Sequence, residues 1–259
     1  MAVALVGATT GSAQARRGVR PLFEPTDLEL EAAGVAELDI QLGAIRGQGP
    51  WRAVLPDFEV DLGLRRNIEL DLDGAYAIEG PEAGPFSFDH PAPDNLWLSV
   101  KLGLWDWLDD GDGPGGAPPV SAWAVGVQVG PKLPVVSISH GLGVEGLVLL
   151  GHAMARTHLV LNAGAFYDPR PDDTSGRPLG VELGCDLERD IDAIGHWSIK
   201  GELGGVRFLS SDPDQLLVTL GPAWSPNDSL ELSVIGMWGF LSGSDRYGVL
   251  FGFSPKVHF

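Results

Sequence analysis

Carboxylates recur at every second position in the early segments of the chain, as in Phe58-Glu59-Val60-Asp61-Leu62 and Ile68-Glu69-Leu70-Asp71-Leu72-Asp73. Side chains two apart point to the same side of an extended strand, so each segment carries an acidic face backed by an apolar one. Glu37 and Asp39 repeat the pattern upstream, and Glu182, Asp186, Glu188, Glu202 and Glu231 continue it downstream. The bases placed on the same face are Lys101, Lys200 and Arg246. Rings of Asp and Glu attract cations and set cation preference in pores. On strands running alternately up and down, Glu37, Asp39, Glu59, Asp61, Glu69, Asp71 and Asp73 all fall toward one half of a lumen and form an acidic vestibule. Two uses of that face stay open: selecting cations, or hydrating an interior that any such barrel keeps polar.

Other candidate chemistry is thinner. His196-Trp197-Ser198 resembles the His-x-Ser element of barrel lipid A deacylases. Its His and Ser have lumen parity, however, and no orienting acid is positioned by the sequence, so no enzymatic activity is expected. Asp109-Asp110-Gly111-Asp112-Gly113 has the oxygen density of a calcium loop without the downstream Glu, and reads as a solvated turn. His152 and His158 flank a turn with no Cys or second carboxylate nearby, so no metal is expected, and no cofactor. The single Cys185 lies on an apolar face and behaves as a small hydrophobe. Seventeen basic against 35 acidic residues give −18, the wrong sign for nucleic acid.

These residues must be held by strands. Nowhere in the 259 residues is there an apolar run of the roughly 20 residues that a transmembrane helix needs. A closed barrel is the other structure that satisfies every backbone group in lipid. Alternation predicts a single antiparallel up-and-down transmembrane β-barrel, all-β, of about 12 strands. Their spans are 35–46, 52–64, 68–78, 95–105, 120–130, 143–151, 157–167, 179–188, 196–206, 214–223, 229–240 and 246–259. An even count leaves both termini in the periplasm. Loops 79–94 and 168–178 are long and rich in Pro, Asp and Gly, whereas 65–67 and 153–156 are tight; 109–119 is a longer connection where a periplasmic turn is expected.

The lipid face follows from parity: Ala36, Leu38, Ile40 and Leu42; Leu96, Leu98, Val100, Leu102 and Leu104; Leu179, Val181, Leu183, Cys185 and Leu187; Leu230, Leu232, Val234 and Trp238. Leu147-Val148-Leu149-Leu150 and Leu216-Leu217 are apolar on both faces. Trp51, Tyr76, Trp105, Trp123, Tyr167, Trp197, Trp224, Trp238 and Tyr247 lie mostly near strand ends, as interfacial girdles require. The competing arrangement is a soluble sandwich or lipocalin-like barrel with the apolar parity turned inward.

Residues 1–15 end in Ala13-Gln14-Ala15 and read as a signal peptide, although the basic n-region is missing; a short N-terminal strand is the other reading. Residues 16–34 then form a periplasmic N-terminal segment or a plug, and 35–259 the transmembrane β-barrel. Tyr247, Phe251, Phe253 and Phe259 share one parity up to the terminus, which resembles the C-terminal assembly signal of outer-membrane proteins. Pro255 departs from it by removing a ladder donor.

Three further pieces are Phe23-Glu24-Pro25, Asp61-Leu62-Gly63-Leu64 before a tight turn, and the following Ile68-Glu69-Leu70-Asp71-Leu72. In them the chain resembles the Gram-negative outer-membrane transporter family labelled "MetA-pathway of phenol degradation". The resemblance implies a porin-like barrel in the bacterial outer membrane, and the family name implies uptake of aromatic compounds. The expected function is a channel or transporter passing small molecules or cations, with outer-membrane lipid and the barrel assembly machinery as partners. The alternative is a non-conducting structural or surface-binding barrel acting through loops 79–94 and 168–178.

Overall fold

Alternation at period two can be satisfied on both faces only if the sheet separates two environments, and a sheet in lipid must close to leave no edge. The computed structural model describes residues 30–47, 51–79, 90–93, 96–106, 121–133, 141–154, 156–168, 179–192, 196–209, 213–227 and 229–259. Among them there is no helix. The strands are β1 (Val35–Arg46), β2 (Trp51–Arg65), β3 (Ile68–Glu79), β4 (His90–Pro93), β5 (Leu96–Asp106), β6 (Ser121–Leu133) and β7 (Gly143–Met154). They continue as β8 (Thr157–Tyr167), β9 (Leu179–Asp190), β10 (Trp197–Phe208), β11 (Gln215–Asn227), β12 (Leu230–Gly239) and β13 (Tyr247–His258). Neighbours pair antiparallel, and β13 pairs with β1 to close the ring.

The barrel has 12 staves because β4 and β5 together make one. β5 pairs with the first part of β3, from Ile68 opposite Leu102 to Asp73 opposite Trp97, and β4 with the rest, from Tyr76 opposite Pro93 to Glu79 opposite His90. Every predicted strand is present, and β1 and β8 coincide with their predicted spans. The sequence reading missed β4, whose Pro91 and Pro93 look like loop residues because each lacks a ladder donor.

The apolar parity faces outward: Leu183 is 67% exposed and Leu104 62%, and Leu42, Val234 and Phe251 are exposed with them. The polar parity is buried inside, with Asp39, Gln41, Asp71, Gln128 and Asp186 among its members. That is the reverse of a soluble barrel, so the competing sandwich or lipocalin-like arrangement is set aside.

Two aromatic belts separate cleanly. Trp105, Trp123, Trp197 and Trp224 lie near the rim where β1 begins and β13 ends, the near rim, and Trp51, Tyr76, Tyr167, Trp238 and Tyr247 near the far rim. Trp197 stacks on Trp224 with centroids 5.9 Å apart, and Trp51 meets Tyr247 edge-on at 5.5 Å.

Closure is stitched at the last residues. Phe259 N donates to Gly34 O at 2.8 Å, and Gly34 N to Gly63 O at 2.8 Å. Tyr247, Phe251, Phe253 and Phe259 are all exposed on the outer face. Pro255 leaves its mark in the β1–β13 register, which passes from Glu37 opposite Lys256 to Ile40 opposite Phe253 without pairs at Leu38 and Asp39. Deleting Phe259 removes both an outward aromatic and the closing backbone bond. The yield of heat-modifiable, folded barrel should fall several-fold while export is unchanged. Unaltered folded yield would show that the terminal aromatic has no part in assembly.

Candidate functional site

Antiparallel register turns the alternating acids into cross-strand rows. Glu37 lies opposite Asp61, and Asp61 opposite Asp71; in the next row Asp39 lies opposite Glu59, and Glu59 opposite Asp73. Like charges directly opposite destabilise a sheet, so the neighbouring wall must answer them. Asp71 lies opposite Ser99 on β5, whose hydroxyl donates to Asp71 Oδ2 at 3.0 Å. Gln128 on β6 donates from Nε2 to the same oxygen at 2.9 Å and to Ser99 Oγ at 2.8 Å. Glu69, 1% exposed, receives Lys101 Nζ at 2.9 Å. Glu37 receives Lys256 Nζ at 3.0 Å.

Carboxylate oxygens of Asp61, Glu69 and Asp71 lie within 4.8 Å of one another, as do those of Glu37, Asp39 and Asp61. All of these face the near half of the lumen, the half at which β1 begins and β13 ends. The arrangement concentrates negative potential in a narrow interior screened from bulk water.

The remaining predicted acids lie on β9, β10 and β12. Asp186 accepts from Asn162 Nδ2 at 3.0 Å, and Glu202 lies opposite Asp186 in register. Lys200 bridges Glu231 at 2.6 Å and Glu188 at 3.9 Å. Glu182 lies on the same face of β9 as Asp186 and Glu188. Arg246 departs from expectation: it is exposed in the connection before β13, not on the lumen wall, because the strand begins one residue later.

Three buried or half-buried bases escaped the sequence reading. Arg52 turns inward because a bulge between Val54 and Asp57 shifts the parity of β2, which Pro56 in the sequence could have flagged. Lys132 lies past the predicted end of its strand at 130, and pairs with Asp168 at 2.8 Å while its ammonium sits 5.2 Å from the Trp97 ring centre. Lys256 follows Pro255 and has lumen parity.

The far half of the lumen holds apolar groups between its buried ion pairs, Arg52 with Asp245 and Lys132 with Asp168. Ile45, Val54, Leu217, Ile235, Met237 and Leu250 form one buried group, with Met237 0% exposed. Trp97, Phe166 and Phe208 form another, Phe166 meeting Phe208 edge-on at 5.8 Å. Leu147 and Leu149 pack inward with Ala124. Segments that look apolar on both faces in the sequence are therefore those that fill the lumen.

At the near mouth, the chain just before β1 turns inside. Glu31 N donates to Glu69 Oε2, and Lys256 Nζ reaches Glu31 Oε1 at 2.7 Å. A Cβ at Gly63 would collide with the carbonyl oxygens of Glu31 and Ala32, so a glycine is needed where this segment crosses β2. The signal peptide at 1–15 and residues 16–29 of the expected segment or plug lie outside the described residues. So do residues 80–89 and 169–178 of the long loops, and Asp109 to Gly113.

No protein-family model and no curated protein matches the chain. Among solved structures it is similar to an outer membrane channel from Pseudomonas putida F1, at a TM-score of 0.61 and 10% identity over 90% of this chain and 99% of that one. A loop-deletion mutant of OmpT, an outer membrane protein of Vibrio cholerae, scores 0.45 at 11% identity over 86% and 98% of the two chains. The β domain of the Bordetella autotransporter Brka scores 0.45 at 11% identity over 87% and 99%. With apolar residues outward, aromatic belts at both rims and a fold matched over nearly its whole length, the chain is a β-barrel of the bacterial outer membrane.

Proposed function

We propose that the barrel is a channel that passes small solutes and favours cations. The observation that carries this reading is the acidic wall of β1, β2 and β3, where Glu37, Asp39, Glu59, Asp61, Glu69, Asp71 and Asp73 face the half of the lumen at which β1 begins, the periplasmic half in this proposal. Carboxylates one strand spacing apart in a narrow interior add their potentials, and rings of such groups select cations in pores. Lys101 and Lys256 offset part of that charge.

The resemblance to the phenol-degradation transporter family belongs to the same proposal, with small molecules of the kind its name implies as cargo. Outer-membrane lipid and the barrel assembly machinery are the expected partners. The reading is non-enzymatic: His196 Nδ1 lies 2.7 Å from the Ser225 carbonyl oxygen, and Ser198 is buried in the lumen wall.

A second reading, a non-conducting structural or surface-binding barrel, is favoured by the apolar groups packed into the far half of the lumen and by the contacts of Leu30, Glu31 and Ala32 in the near mouth. Purified protein in planar bilayers separates the two. Discrete conductance steps support the channel; membranes that stay silent at matched incorporation, verified by folded-protein content, support the closed barrel.

A further inference from the structure

The connection between β12 and β13, residues 240–246, turns inward at the far rim, where Ser244 and Asp245 are buried. On one side it is tied to β11: Phe240 N donates to Leu216 O at 2.9 Å, and the Ser244 hydroxyl sits between Leu216 N at 2.7 Å and Leu216 O at 2.9 Å. Gly243 N adds a bond to Asp214 O at 3.2 Å, just before β11. On the other side it is tied to β1 and β2: Arg246 N donates to Arg46 O at 2.7 Å, and Asp245 pairs with Arg52 Nη2. One short connection thus spans the arc from β11 through β12, β13 and β1 to β2. Asp245 is 3% exposed and Ser244 is buried beside it.

The strands that it joins and ties also carry the apolar group of Ile45, Val54, Leu217, Ile235, Met237 and Leu250. Register puts Ile45 opposite both Arg52 and Gly248, and Leu217 opposite Gly239, so the ties of the connection and the top of that group share rows. A Cβ at Gly239 would collide with the Asp245 carbonyl oxygen and with Ser244, so the inward fold needs glycine there.

We propose that residues 240–246 are a lid closing the far mouth, latched by the Arg52–Asp245 ion pair. The pair suits a latch because it is bistable. Closed, both charges are dry and each needs the other; open, each is hydrated, and intermediate positions leave a buried charge uncompensated. Among the described residues Asp245 Oδ1 accepts no hydrogen bond, so the carboxylate is held through one oxygen only. That makes the closed state releasable. The gating consequence rests on the channel reading; the mobility of the lid does not.

The test compares wild type, Asp245→Ala, Asp245→Asn and the charge swap Arg52→Asp with Asp245→Arg, in detergent-folded protein and in planar bilayers. Asp245→Asn keeps the shape of the carboxylate should the alanine variant fold poorly. Amide exchange over residues 240–246 should rise at least about tenfold in the single variants, with the β5–β9 wall unchanged, and should return toward wild type in the swap. Open-state occupancy should rise in the same single variants. Unchanged exchange at 240–246, or a swap no more protected than the single variants, overturns the latch. Faster exchange with wild-type open occupancy in a conducting protein overturns the gate. If no form conducts, the channel reading and its gate fail together, and the exchange result alone decides whether the latch exists.

Discussion

Lys101→Met will lower the stability of the folded barrel by on the order of 3–5 kcal/mol, the usual cost of leaving one member of a buried ion pair without the other. Glu69 is buried, its Oε1 receives Lys101 Nζ at 2.9 Å, and it sits in the triad with Asp61 and Asp71. Removing the ammonium leaves that carboxylate among like charges, with the Glu31 backbone N–H still donating to its other oxygen. Methionine preserves the length and apolar stem of the side chain, so packing loss contributes little. The measurement is the urea midpoint for reversible folding into lipid vesicles. Glu69→Gln in the Lys101→Met background should recover much of the loss, because neutralising both partners removes the uncompensated charge. A Lys101→Met midpoint equal to wild type would mean that the acidic wall is hydrated well enough to need no local base.

Phe166→Ala should be the most damaging apolar truncation in the lumen, at about 3 kcal/mol, the low end for a buried aromatic because water can enter the space left behind. Phe166 is 2% exposed and packs edge-on against Phe208. Its ring lies over Gly180, where a Cβ would meet the ring carbons. The lost ring leaves Trp97 and Phe208 without their common neighbour, so the far half of the lumen should also wet more easily. Leu183→Ala, on the lipid face of β9, is the control and should leave unitary conductance unchanged. A folding midpoint in Phe166→Ala no lower than in that control would show that the aromatic group is loosely packed.

The strands were legible because period two is enforced at every residue of a stave, and β1 shows it unbroken from Val35 to Arg46. The acids were legible for the same reason: parity alone places Asp61 and Asp71 on the inner face, and register then makes them neighbours. Parity fails wherever the backbone slips. Arg52 lies beyond the bulge at Val54 to Asp57, so counting back from Asp57 puts it on the wrong face. Arg246 has lumen parity but precedes the first paired residue of β13. Leu217 and Leu149 were ambiguous because apolar residues on both faces carry no contrast, and only closure shows that one set fills the interior. The lid was invisible because its partners, Leu216 on β11 and Arg52 on β2, are brought to it by the barrel and not by local sequence.

In the proposed function the carboxylates of β1, β2 and β3 set what passes. The most direct measurement of that role is the reversal potential in a salt gradient across a planar bilayer, for wild type and for the combined Asp61→Asn, Asp71→Asn and Asp73→Asn variant. Asn keeps the shape and polarity of each side chain, so folded yield should change little. Wild type should reverse toward the cation equilibrium potential. The variant should reverse nearer zero, with the difference shrinking at high salt as the Debye length falls to about 3 Å at 1 M. A conducting wild type whose reversal potential is unmoved by the three substitutions would contradict the account and leave the acidic wall as hydration of the barrel interior.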